Sequence, residues 1–314
     1  MGKNRIGMLY KHTLKFLAEK IPQFYRIIHI LPQKRFIDIR VNPTKNRLNV
    51  FLFIIKKTIV VIARYNKSKE KIMRKVTYKA RMNFILDLDL NEYTQCLYYF
   101  EPPNQDLIRL IEKGGSVFVD IGANVGFFSL LGSYTFNNVI SFEPTPKSNN
   151  ALKNHIRLNK INNIQVYDYA LSDTKGTMTL YENPYNAGGN RLDKFADEMI
   201  SKSGRDDWVH YMVDVVTLDE ILDDNNQDTI SLIKIDVEGH ETKVLKGSRH
   251  TLSKYRPIIY AEIGGERDRL NSILEVVPEF YKAYDSVNKE LIGNNSSLPS
   301  DVLLIPAGIE MEAL

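Results

Sequence analysis

Cysteine is almost absent: Cys96 stands alone in 314 residues. An internal disulfide is therefore excluded, and no Cys/His cluster has the spacing of a zinc site. No uncharged apolar run reaches the roughly 18 residues that a spanning helix needs. The nearest stretch, 48–63, is interrupted by Lys56 and Lys57. The opening MGKNRIGMLYKH lacks the apolar core of a signal peptide, and Ile6 stands where N-myristoylation requires Ser or Thr. No repeat of fixed period and no low-complexity segment occurs. These absences predict a cytoplasmic protein of a reducing compartment. What is present is ordinary globular composition, 43% hydrophobic and 25% charged, which excludes wholesale disorder.

The net charge of +4 conceals a division along the chain. Residues 1–81 carry 21 Lys and Arg against three acids (Glu19, Asp38, Glu70), a net of +18. The rest carries 21 bases and 35 acids, a net of −14. Two domains are expected from this, a basic N-terminal extension over 1–81 and an acidic domain over 82–314. Within the extension, residues 8–31 set Leu and Ile among Lys and Arg and read as a basic amphipathic helix weakened at Pro22. Residues 67–81 read as a solvated basic stretch. Such an arm either packs on the acidic domain or holds the protein peripherally on an anionic membrane; nucleic acid is the poorer partner.

From Met82 onward the pattern is that of a folded domain. MNFILDLDL alternates as a strand, and NQDLIRLIEKG reads as a helix stopped at Gly114-Gly115. Short β-branched strands then alternate with helices. The strands are 117–120, 139–142, 164–167, 231–236 and 257–262, with late ones at 281–287 and 301–305. The helices begin near Phe127 and run over 149–158, 217–222 and 239–252, while 176–180 reads as an antiparallel excursion and 183–210 as loop. Such alternation predicts an α/β fold, doubly wound, with a mostly parallel sheet covered on both faces.

Ligands in such a sheet bind beyond the carboxyl ends of the strands. The first strand runs into Asp120-Ile-Gly122-Ala-Asn124-Val-Gly126, a glycine turn opening a helix. Its Gly-x-x-x-Gly spacing is not that of a dinucleotide pyrophosphate loop, so a nicotinamide-dependent oxidoreductase is the poorer reading. Glu143 ends the second strand, where an acid accepts hydrogen bonds from ribose hydroxyls. Together they describe a nucleoside cofactor without a required pyrophosphate. S-adenosylmethionine fits, with Asp120 toward its cationic portion and Glu143 on its ribose. A second group, Asp236, Glu238, His240 and Glu241, follows the fourth strand, and Glu262 ends the fifth. These groups could supply a general base for a substrate hydroxyl or grip a sugar. Asp236 recommends itself by position, and His240 because imidazole titrates near neutrality. No metal is required, although Asp236, Glu238 and Glu262 could bind one.

VFVDIGANVGFFSL, ISFEPTP, ALSD, VVTLDEIL, IKIDVEGHE and DVLLIP, in that order, resemble the FkbM family of S-adenosylmethionine-dependent methyltransferases. The resemblance runs from about Met82 to Ile305. It implies a seven-stranded Rossmann-like methyltransferase sheet with a reversed last strand, and methyl transfer to oxygen of sugars, glycosylated products or polyketides. Asp120, Gly122, Asn124 and Gly126 would form the cofactor loop, Glu143 the ribose acid, and Ala170 to Asp173 the segment against adenine. Asp236, Glu238 and His240 would lie on the catalytic face, with Glu241 and Glu262 toward the substrate. The expected function is O-methylation of a glycan or glycolipid. The alternative is an inactive methyltransferase fold recruited by its basic arm to an anionic surface.

Overall fold

The computed structural model describes residues 71–78, 82–89, 104–183, 189–192, 209–223, 229–294 and 296–309. The amphipathic helix expected over 8–31 lies outside them. All but Lys71 and Asp89 of these residues belong to one compact unit, Ile72–Leu88 with Glu92–Leu314. Among the described residues no helix is long and apolar enough to cross a membrane.

Strands β1 (Lys71–Tyr78) and β2 (Met82–Asp89) form a two-stranded sheet. The basic stretch expected to be mere solvated chain therefore contains a strand. The boundary expected between residues 81 and 82 therefore falls between two paired strands. Alternation in β2 works as anticipated: Phe84 and Leu86 are buried, and Phe84 meets Phe127 edge to face at 5.8 Å.

The next elements are α1 (Gln105–Lys113), β3 (Gly115–Ile121), α2 (Phe127–Gly132), β4 (Phe136–Phe142), α3 (Pro146–Leu158) and β5 (Ile164–Tyr167). β3 and β4 end in four or more consecutive buried residues, the mark of strands covered on both faces. Then come β6 (Ala170–Leu171), β7 (Gly176–Glu182), β8 (Arg191–Leu192) and β9 (Val209–Val216). These four make a separate sheet in the order β6-β9-β7-β8. The antiparallel excursion thus has a partner, β9, within and beyond what reads as loop. Helix α4 (Leu218–Asp223) opens with a reciprocal cap: the Glu220 amide donates to Thr217 Oγ1, and Glu220 Oε2 accepts from the Thr217 amide.

The chain closes with β10 (Ile230–Ile235), α5 (Glu241–Lys246), α6 (Arg249–Tyr255), β11 (Ile258–Glu262), α7 (Arg267–Val276), β12 (Tyr281–Asp285) and β13 (Asp301–Pro306). The single helix expected over 239–252 is two helices, because a Cβ at Gly247 would stand 2.0 Å from the carbonyl oxygen of Ser172. The chain bends to make that close approach. The seven-stranded sheet has the order β12-β13-β11-β10-β3-β4-β5. Neighbours from β11 to β5 are parallel, and β13 runs against both β11 and β12. The doubly wound sheet with a reversed last strand is thus the observed fold. Strand order reverses between β3 and β10, which places a crevice over their carboxyl ends.

Candidate active site

The turn after β3 is held in a conformation that few side chains adopt: Gly122 has φ 75°, Asn124 φ 50° and Gly126 φ 90°. The amides of Gly122 and Ala123 both donate to the Phe142 carbonyl at 3.0 Å. The Asn124 amide donates to Glu143 Oε2 at 2.8 Å, and the Thr145 amide to Glu143 Oε1 at 2.8 Å. Glu143 is only 6% exposed, and burial raises its pKa against these hydrogen bonds and the nearby Lys234. The Thr145 hydroxyl also hydrogen-bonds the carboxylate, which leaves it room to accept from a further donor.

A Cβ on Gly122 would lie 2.0 Å from the Asp236 carbonyl oxygen, and one on Gly126 2.2 Å from Leu152 Cδ1. Their missing side chains let the turn close on β10 and α3.

A cavity opens at the switch point. Gly122, Asn124, Phe142 and Glu143 border it from β3 and β4, and Tyr169, Ala170 and Leu171 from the chain entering the small sheet. That sheet adds Leu180, Asn190 and Leu192, while Lys234, Asp236 and Glu238 border it from β10. Phe142, Tyr167 and Tyr169 stack in series, with centroids 5.2 Å and 6.1 Å apart. Sequence reasoning passed over Tyr169, Asn190 and Lys234. Only Lys234 had a signal, a lone cation in an otherwise apolar buried strand.

Asp120 is fully buried and does not border the cavity. Its Oδ2 accepts from Ser129 Oγ at 2.5 Å, and its Oδ1 stands 3.1 Å from Lys234 Nζ in an ion pair that lacks hydrogen-bond alignment. Lys234 Nζ is also 3.6 Å from Asp236 Oδ2. Burial works against the ammonium, but Asp120 and Asp236 outweigh it and raise its pKa.

The acids after β10 separate into two groups. Carboxylate oxygens of Asp236, Glu238 and Glu262 lie within 4.8 Å of one another. Crowding on this scale is relieved by protons or cations. Desolvation, then Asp236, pushes Glu238 up to about 7, although Arg191 pairs with it at 3.3 Å. Desolvation, then Asp236 and Glu238, pushes Glu262 up to about 9, and it hydrogen-bonds Asp236. Glu238 has φ 55°, a left-handed conformation at which a non-glycine residue is strained. Glu241 braces that turn from beneath: it is fully buried, and its Oε1 accepts from the amides of Val237 and Gly239. His240 is also buried, with Nε2 2.9 Å from Ser172 Oγ, and does not border the cavity. Asp173 pairs with Lys246 at 3.0 Å.

Comparison with known proteins gives this geometry a family. Residues 120–289 match the Methyltransferase FkbM domain. The chain belongs to the FkbM methyltransferase family. It is 30% identical to methyltransferase sdnD of Sordaria araneosa over 41% of this chain and 59% of that protein. It is 26% identical to 2-O-methyltransferase NoeI of Sinorhizobium fredii over 56% of this chain and 77% of that protein. It is 28% identical to hexuronic acid methyltransferase AglP of Haloferax volcanii over 49% and 60%, respectively. The chain thus spans about three fifths of sdnD and AglP. The cofactor of this FkbM domain is S-adenosylmethionine, and the residues bordering the cavity suit it chemically. A carboxylate with spare acceptors suits a ribose diol, aromatic and leucine side chains suit a purine, and carboxylates suit a sulfonium.

Proposed function

We propose that the protein is an S-adenosylmethionine-dependent O-methyltransferase whose acceptor is a hydroxyl of a glycan, glycolipid or other carbohydrate-bearing molecule. The observation that carries this reading is that Glu143 and Asp236 border one cavity from opposite sides of the switch point. When bound, S-adenosylmethionine supplies a methyl group on a cationic sulfur. Glu143 and Asn124 hold the nucleoside side, with Ala170 and Leu171 against the base. Asp236 accepts the proton of the acceptor hydroxyl. It is preferred to His240, which is buried against Ser172 and away from the cavity. Glu238 hydrogen-bonds a neighbouring hydroxyl of a polyol, with Glu262 behind it against Asp236, and the apolar lining excludes water, so positioning supplies much of the rate. The names of NoeI and AglP, a 2-O-methyltransferase and a hexuronic acid methyltransferase, support oxygen and sugar as the target class.

The test is a mass-spectrometric transfer assay with isotopically labelled cofactor and a panel of neutral and acidic glycans, preceded by calorimetric titration with S-adenosylmethionine. A labelled sugar is the expected result. Binding without transfer to any glycan, but with transfer to a non-sugar hydroxyl, overturns the acceptor class, and absence of binding overturns the whole reading.

Residues 1–81 are proposed to hold the enzyme on an anionic membrane near a lipid-linked acceptor. Each engaged base there contributes about 1 kcal/mol. Salt-sensitive co-sedimentation with phosphatidylserine vesicles by the full chain, and not by one shortened to begin at Lys71, is expected. Because β1 and β2 pair, a cut at Lys79 would remove a strand along with the arm. Failure of the full chain to sediment leaves the arm with a packing role.

A further inference from the structure

Buried charge beneath the cavity forms one connected path. Lys234 and Asp120 are register partners on adjacent parallel strands, so their side chains share a face. Ser141 Oγ donates to Ser129 Oγ at 2.9 Å, and Ser129 Oγ donates to Asp120 Oδ2. Both serines are fully buried. Asp120 is thereby anchored from the core side, and Lys234 occupies its other oxygen. From that anchor the Lys234 ammonium, only 3% exposed, donates to the Gly122 carbonyl at 2.8 Å and faces Asp236 Oδ2 at 3.6 Å. Gly122 opens the cofactor turn, and Asp236 is the proposed base. Their backbones already touch at a distance that no side chain at residue 122 would permit.

We propose that Lys234 is a positioning residue that holds the glycine turn and Asp236 in register, with Ser141, Ser129 and Asp120 as its fixed anchor. The proposal rests on the reading of the cavity as a methyltransferase site. A cation whose sole task was to neutralise Asp120 would not need to reach the Gly122 carbonyl and Asp236 as well. One compact ammonium serves as a junction here, hydrogen-bonded to the Gly122 carbonyl and charge-paired with Asp120 and Asp236. Removing it leaves the carboxylate and the carbonyl free to move relative to each other, and a displacement of about 1 Å near a reacting centre costs about a hundredfold in rate.

Lys234→Met alone would strand the Asp120 charge and endanger the fold. The test therefore uses Asp120→Asn/Lys234→Met, which removes both charges while leaving Ser129 an acceptor. S-adenosylhomocysteine binding is measured by calorimetry, and kcat and KM by methyl transfer. The expected result is a melting temperature near that of the wild type, affinity about tenfold weaker from one lost hydrogen bond to a charged group, and kcat about a hundredfold lower. Affinity and kcat within twofold of wild type, in a folded variant, would overturn the proposal and leave Lys234 a stabilising partner of Asp120. A wild-type chain that binds no S-adenosylhomocysteine overturns the methyltransferase reading itself, a result seen before any variant is made.

Should the double variant not fold, the wild type carries the test. The ¹⁵N-labelled Lys234 ammonium should exchange slowly and shift when S-adenosylhomocysteine binds. A resonance that does not move on binding would refute the positioning role.

Discussion

The amide of Asn124 donates to the carboxylate of Glu143 at 2.8 Å, so the acid that follows β4 also closes the turn that follows β3. The other Glu143 oxygen accepts from the Thr145 amide at the same distance. A residue expected to contact a cofactor braces the glycine turn.

That double acceptance predicts an unusual isostere effect. In Glu143→Gln the new NH2 must confront one of two backbone N–H donors, so the variant loses one hydrogen bond and gains a donor clash. A cost of about 1–3 kcal/mol in unfolding free energy is expected, with cofactor affinity falling on a similar scale. Urea unfolding and calorimetric titration measure the two. An unaltered Glu143→Gln protein would mean that neither amide depends on the carboxylate.

Asp236 and His240 should separate cleanly. Asp236→Asn should keep the fold and cofactor affinity while lowering the rate by about 10²–10⁴, the usual worth of a positioned base. His240→Ala should instead act through stability, because its ring nitrogen serves the buried Ser172 hydroxyl. A loss of about 1–3 kcal/mol is expected with a much smaller change in rate at a temperature where the variant is folded. The reverse pattern, a wild-type rate in Asp236→Asn and a collapsed one in His240→Ala, would move the base to His240.

The crowded acids make stability depend on pH. Glu262 is raised from 4.5 to about 9 by burial and its acidic neighbours, and Glu238 from 4.5 to about 7. Between the ordinary carboxyl range and those values, the folded protein keeps protons that the unfolded chain has released. Unfolding then sheds protons, so stability is greatest on the acid side of the window and is lost as pH rises through it. Melting temperature should therefore fall from about pH 5 to about pH 9, and Glu262→Gln should flatten the alkaline part of that decline. An equally steep decline in Glu262→Gln would place the responsible proton elsewhere.

Gly122→Ala is expected to fail by packing. Its Cβ would fall 2.0 Å from the Asp236 carbonyl, at φ 75°. Overpacking of this kind costs about 1–3 kcal/mol, with backbone strain added. Unfolding free energy and rate should fall together as the turn is pushed off β10. A stable Gly122→Ala protein with cofactor binding alone abolished would show instead that the missing side chain makes room for the ligand.

Much of this protein was determined by sequence alone, because periodicity and turn chemistry are local. The apolar runs of β3, β4, β10 and β11, each followed by a helix, could bury themselves only in a parallel sheet covered on both faces. The acids at strand ends followed directly, since in such a sheet every strand's carboxyl end opens on the same side. Tertiary structure decided which of those acids share the cavity. Asp120 and Glu143 both stand at strand ends, yet one pairs with Lys234 in the core while the other borders the opening, a difference set by register across β3, β4 and β10. Glu238 and Glu241 are three residues apart, yet the left-handed turn at Glu238 sends one to the cavity and folds the other beneath it. The small sheet was legible only in part: β8 is two residues that acquire strand pairing from β7, whereas β9 alternates Tyr211, Val213 and Val215 with Met212 and Asp214, a signal that reading 183–210 as loop passed over. Pairing of the β8 kind joins residues far apart in the chain, and no local period announces it.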